Sequence, residues 1–102
     1  MELKNSDFVH LHNHTHYSLL DGLTKVPELV NFIKEDGMEA VAVTDHGTMS
    51  ALVELYKECN AAGIKPLLGL EAYVAARKMT DKDADKDKYQ GHLVLRFLLH
   101  RG

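Results

Sequence analysis

Ala40-Val-Ala-Val-Thr-Asp-His-Gly47 is the stretch on which the fold turns. Ala40 to Thr44 is a short apolar run with no polar alternation, the pattern of a strand buried on both faces. Such strands belong to parallel sheets covered by helices, because parallel neighbours need a crossover between them. Polarity returns at once in Asp45 and His46, so two reactive side chains sit at the carboxyl end of a strand. That end is where α/β folds keep their sites.

Helical patterns flank this strand. Upstream, a helix is expected from near Thr24, with Pro27 in its first turn, Val26, Leu29, Val30 and Ile33 at helical spacing, and Gly37 as its stop. Downstream, Thr48 or Ser50 is placed to cap a second helix with Leu52, Val53, Tyr56 and Cys59 on its buried stripe and Gly63 as its stop. Further strands are expected at Val9 to Asn13, Pro66 to Val74 and His92 to Leu95. Ser18 to Thr24 reads as a loop with Asp21-Gly22 as its turn. Residues 78–88, with Asp81, Lys82, Asp83, Asp85, Lys86 and Asp87, read as a solvated connection. The β-α-β-α-β rhythm predicts a parallel sheet with right-handed crossovers.

Composition narrows the function classes. With 102 residues the chain is at most one small domain, and 45% hydrophobic with 26% charged residues is an ordinary globular balance. A net charge of -3 gives no global basic footprint, so contact with nucleic acid must be local or supplied elsewhere. Cys59 is the single cysteine, no intrachain disulfide can form, and a reducing, cytoplasmic setting is expected. The polar start (Glu2, Lys4, Asn5) is unlike a signal peptide, and no apolar run approaches the roughly 20 residues of a membrane span.

The chemistry concentrates in histidine. His10, His12, His14 and His16 alternate, and strand geometry sends alternate side chains to one face. Imidazole is the commonest metal ligand in proteins, and chelation requires such convergence. His12 and His14 end the first expected strand, Asp45-His46 follows the second, and Glu71 lies within the third. Gly69 stands just before Glu71, where side-chain bulk is not expected to fit. A buried carboxylate or imidazole without a partner is unfavourable, and a metal removes that penalty.

The runs HLHNHTHYS, VTDHG and GLE resemble the first three motifs of the PHP (polymerase and histidinol phosphatase) domain family. The longer stretches FVHLHNHTHYSLLDGL and VAVTDHGTMSALVELYKECNAAGIKPLLGLEAYVA are similar to the PHP domains that open the DnaE-type bacterial replicative polymerases, specifically from Phe8 to Ala75 and less so to Leu95. The resemblance implies a distorted (β/α)7 barrel, of which this α/β chain would hold the first three to four βα units. It implies a cluster of up to three divalent ions. Carried over by motif, His12 and His14 match the HxH ligand pair, Asp21 a carboxylate ligand, His46 a ligand, Glu71 a bridging carboxylate, and His92 the next histidine. Asp45 resembles a supporting neighbour, His10 falls where relatives carry an acidic residue, and His16 matches a variable position. A histidine-rich set suits zinc, manganese or iron better than magnesium or calcium.

The implied activity is a metal-dependent phosphoesterase, of which a 3′-5′ exonuclease is one form, within a DNA polymerase (a nucleotidyltransferase) whose partners are DNA and other replicase subunits. A histidinol-phosphatase-like enzyme and a non-catalytic docking module for a proofreading exonuclease subunit are the alternatives. The chain is shorter than the family domain, so residues 6–95 are read as the N-terminal part of a PHP domain and residues 96–102 as an atypical tail, for which an out-of-frame origin is one reading. Such a piece is expected to be inactive alone.

Overall fold

The computed structural model describes residues 2–20, 22–78, 80 and 91–97. After a single 3-10 turn at Asn5–Asp7, the elements are α1 (Val26–Glu35), β1 (Ala40–Val43), α2 (Leu52–Ala62), β2 (Lys65–Val74) and β3 (Gly91–Phe97). They form a three-stranded sheet in the order β1-β2-β3.

α1 starts where the sequence predicts, with Lys25 extended before it and Pro27 in the first turn, where a missing N–H is harmless. Val26, Val30 and Ile33 are fully buried and Leu29 packs beside them. α2 closes on Gly63 in the left-handed conformation, and Leu52, Leu55 and Cys59 are its buried side chains. Two expectations about α2 are corrected. Its N-terminal flank is Ala51, while Thr48 Oγ1 instead pairs with Ser50 Oγ and accepts the Ser50 N–H. Val53 and Tyr56 are exposed, not core. A turn of 3.6 residues puts Leu52, Leu55 and Cys59 on one line, and Tyr56 falls roughly 70° off it and Val53 further.

β1 is buried along its whole length and pairs in parallel with β2, Ala40 opposite Lys65 through Val43 opposite Leu68. The helices pack on one face of this pair around Val41, Val43 and Ile64. Each such side chain removed from water stabilises by about 1.5–3 kcal/mol, so this layer is the main source of stability. The opposite face carries Ala40, Ala42 and Leu67 with Val9 across them, and period-two alternation along β2 brings Gly69 and Glu71 to that same face.

Two further expectations are corrected. Residues 9–13 do not form a regular strand. They run parallel beside β1 with one bridge, His10 to Val41, and the Ala42 N–H donates to the His10 carbonyl. From there Asn13 interrupts the ladder: its side-chain amide donates to the Ala42 carbonyl at 2.9 Å and its backbone N–H to Thr44 Oγ1, while its carbonyl accepts the Thr44 N–H. A side-chain amide competing for a strand carbonyl breaks the regular pattern.

β3 runs antiparallel to β2, with Glu71 opposite Val94 and Tyr73 opposite His92, so the sheet is mixed. A parallel return needs a crossover packed by an apolar stripe, and residues 78–88 have too few apolar side chains to supply one. β3 extends through Arg96 and Phe97, which sit opposite Gly69 and Leu68. Gly69 is required there: a Cβ would stand 2.3 Å from the Leu95 carbonyl oxygen and 3.0 Å from Thr44 Cγ2. Most of the hydrophilic connection and residues 98–102 lie outside the described residues.

Candidate metal centre

Glu71 is 5% exposed and stands among four imidazoles. β2 delivers it, with its N–H donated to the Asp45 carbonyl and its own carbonyl accepting from Gly47, so the chain after β1 is stitched to it. His46, next to Asp45, pairs with Glu71 as an isolated parallel bridge and brings Nδ1 to 2.5 Å from Glu71 Oε2. The segment beside β1 brings His12 Nε2 to 2.7 Å from Oε1 and His14 Nε2 to 3.4 Å from Oε2. β3 brings His92 Nδ1 to 3.5 Å from Oε2. Five residues from four segments thus meet at one carboxylate.

The donor atoms fall into two overlapping groups, His12, His14 and Glu71, and His46, Glu71 and His92, each with its ligand atoms within 4.8 Å of one another. A small inward shift takes such atoms to the about 2.0–2.2 Å that imidazole and carboxylate adopt around zinc. Glu71 belongs to both groups, as a bridging carboxylate must. His14 Nε2 and Glu71 Oε2 are buried and make no aligned hydrogen bond among the described residues, although they lie close together. Buried polar atoms left in this state are unfavourable unless something else binds them. A divalent cation fits both their chemistry and their placement.

Burial pushes the Glu71 carboxyl up, but attraction to His46, His12 and His14 and the His12 hydrogen bond outweigh it, and the net shift is downward. The group is held as a carboxylate, the form that ligates. Around it the rings pack edge-on or tilted: His12 on His14 at 5.1 Å between centroids, His14 on His46 at 4.1 Å, His46 on His92 at 5.3 Å.

The structure therefore brings together His12, His14, His46, Glu71 and His92 of the sequence-predicted ligands, and Asp21 lies outside the described residues. His10 and His16 stay away, His10 edge-on to Phe8 and His16 against Tyr17. Asp45 is buried and gives its carboxylate to Thr15 and Ser18. Sequence reasoning missed Thr15, Ser18 and Tyr73, which flank the site. Tyr73 stacks near His46 and meets His92 edge-on, and a Cβ on Gly47 (φ +61°) would come within 2.8 Å of its ring. The one signal for the hydroxyl pair was nearness to the histidine run, Thr15 within it and Ser18 two residues past His16.

The chain is similar to known proteins in sequence and in fold. DNA polymerase III subunit alpha of Aquifex aeolicus is 45% identical over 97 residues, which is 89% of this chain and 8% of that protein. The Thermus aquaticus subunit is 45% identical over 93 residues, and the Mycobacterium tuberculosis H37Rv subunit 51% over 70. The chain thus spans less than a tenth of the length of these relatives. Among solved structures, an amidohydrolase from Chromobacterium violaceum superposes with a TM-score of 0.66 over 86% of this chain and 27% of its own, at 24% identity, a likeness of fold. A protein from Bifidobacterium adolescentis described as a metal-dependent phosphoesterase gives a TM-score of 0.60 at 27% identity, over 84% of this chain and 25% of its own. The fold is α/β and corresponds to part of a PHP-type barrel. A PHP domain profile matches residues 10–99, a span that includes every histidine and carboxylate gathered at Glu71, and the chain belongs to the PHP domain family.

Proposed function

We propose that the chain is the N-terminal part of the PHP domain of a DNA polymerase III alpha subunit, and that Glu71 and its histidines hold divalent metal for phosphoester hydrolysis. The carrying observation is the buried Glu71 carboxylate shared by two imidazole groups. In the complete domain His12 and His14 would help to hold one ion and His46 and His92 a second, with Glu71 common to both groups and Asp21 added to the set. The mixed nitrogen and oxygen donors favour zinc, manganese or iron. Bound divalent ions supply an activated water near neutral pH and neutralise charge on a phosphoryl group.

The chain's own residues prepare that chemistry. Glu71 fixes the spacing between the two groups, and the imidazoles packed on one another keep a ring nitrogen near its carboxylate. In the complete protein the substrate would be a DNA 3′ end, the reaction 3′-5′ exonucleolytic, and the partners DNA and the other replicase subunits, a separate proofreading exonuclease among them. The setting is then the cytoplasm, with replication. No helix among the described residues is long and apolar enough to cross a membrane.

The described ligands suffice for one site of tetrahedral type, and the chain alone is expected to bind at most one ion and to leave single-stranded DNA uncut. Zinc and manganese titration beside a labelled 3′-end assay tests this, with His14→Ala as control. Metal-dependent cleavage that vanishes in His14→Ala would show that the short chain is already an enzyme. No binding of either metal would sink the metal reading.

A further inference from the structure

Asp45 is 1% exposed, Thr15 is 0% and Ser18 is 2%, and together they form a closed polar knot behind the histidines. The Thr15 N–H donates to Asp45 Oδ1 at 2.6 Å and the Thr15 hydroxyl to Oδ2 at 2.8 Å. The Ser18 hydroxyl donates to Oδ1 at 2.8 Å. Ser18 Oγ in turn accepts the His46 N–H at 3.0 Å, and Thr15 Oγ1 accepts the Tyr17 N–H at 3.2 Å. Among the described residues, each of these three bonds is donated to the carboxylate.

Thr15 follows His14 in the chain, and Asp45 precedes His46. The knot therefore grips the backbone on the side of both imidazoles. Asp45 fixes the chain just after His14, and Ser18 fixes the backbone of His46, so one hydroxyl–carboxylate unit holds a member of each three-residue group in register with Glu71. From this we infer that Thr15, Ser18 and Asp45 are positioning residues that couple the two halves of the metal centre. The inference rests on the metal reading above and adds to it the residues that set ligand geometry without touching the ion. Groups that orient ligands in this way are typically worth about 10–100-fold in metal affinity.

A plain folding staple would use the same bonds, so the test must separate geometry from stability. In the 102-residue chain, zinc affinity is measured by competition with a chromophoric chelator, and the ligand field by cobalt(II) absorption. Ser18→Ala and Thr15→Val should weaken zinc binding by about 10–100-fold and shift the cobalt bands. Thr15→Ser, which keeps the hydroxyl, should restore wild-type affinity and bands. Val30→Ala, a core change remote from the site, should lower the denaturation midpoint and leave zinc affinity unchanged. Wild-type affinity and spectra in folded Ser18→Ala and Thr15→Val overturn the inference. So does failure of both variants to fold with zinc present, because the knot is then a staple only. If one of them fails to fold, the other decides. Absence of zinc binding in the wild type overturns the metal reading itself, a distinct outcome from intact binding in the variants.

Discussion

Glu71 and His46 are joined twice. Their backbones pair as a parallel bridge beyond the end of β1, and His46 Nδ1 lies 2.5 Å from Glu71 Oε2. A side-chain contact set by sheet register is rigid, because shifting β2 by one residue would send Glu71 to the helix-covered face. The centre is thus anchored by the β1–β2 pairing, and the remaining imidazoles are brought to it.

That shared carboxylate gives the first prediction. Glu71→Gln keeps the shape and removes the charge, so both three-residue groups lose their common ligand. Bound zinc after dialysis, read by elemental analysis, should fall to background. His92→Ala should retain zinc, since His12, His14, His46 and Glu71 remain. Equal zinc content in wild type and Glu71→Gln would show that the carboxylate is not a ligand.

Gly69 allows the pairing of β2 with β3, and Gly69→Ala should loosen it. The new Cβ meets the Leu95 carbonyl, and overpacking of this kind destabilises by about 1–3 kcal/mol. Gly63→Ala meets nothing within 4 Å but sits at φ +75°, so its penalty of roughly 1–2 kcal/mol is purely conformational. Amide exchange separates them. Protection in β3 should drop selectively in Gly69→Ala, and selective loss in Gly63→Ala instead would refute the close-approach argument.

Burial, with a smaller push from Glu58, raises the Cys59 thiol to about 11. In the unfolded chain the thiol ionises near its ordinary 8.5, so between these values the native state binds more protons. The contribution to stability is full below the unfolded pKa and is lost as pH rises through the folded one. Denaturation midpoints should decline toward pH 11 in the wild type and less steeply in Cys59→Ala. Alkylation at pH 8 should be slow in buffer and fast in denaturant. Fast labelling of the native chain would place Cys59 outside the core.

β3 is exposed along its length, with Leu93, Val94, Leu95 and Phe97 each 39–50% accessible. An exposed apolar strand invites edge pairing between chains. Isolated chains should therefore associate, and Leu95→Lys should raise the soluble monomer fraction in light scattering. A monodisperse wild type with a sharp melt would contradict this.

The sequence made α1, β1 and the residues that cluster at Glu71 legible because periodicity and strand-end polarity are local signals. Val26, Val30 and Ile33 face the core as their spacing requires. Leu55 and Tyr56 were exchanged, since a stripe counted from Val53 is rotated by about one position from the one that packs. The direction of β3 depends on the connection before it, which carries no helix pattern to read. Thr15 and Ser18 were illegible as partners of Asp45 because a side-chain bond across 27–30 residues leaves no periodic trace.

The interruption of regular pairing at Asn13 divides the clustered residues by how they are held. β1 and β2 join through backbone ladders and carry His46 and Glu71 with them, whereas His12 and His14 ride on a segment fastened by one bridge, by backbone bonds from Ala42 and Thr44, and by the side chains of Asn13, Thr44 and Asp45. His46, Glu71 and His92 thus take their places from sheet register and His12 and His14 from a mixed set of contacts, so damage to the sheet and damage to the loop would reach the cluster by separate routes.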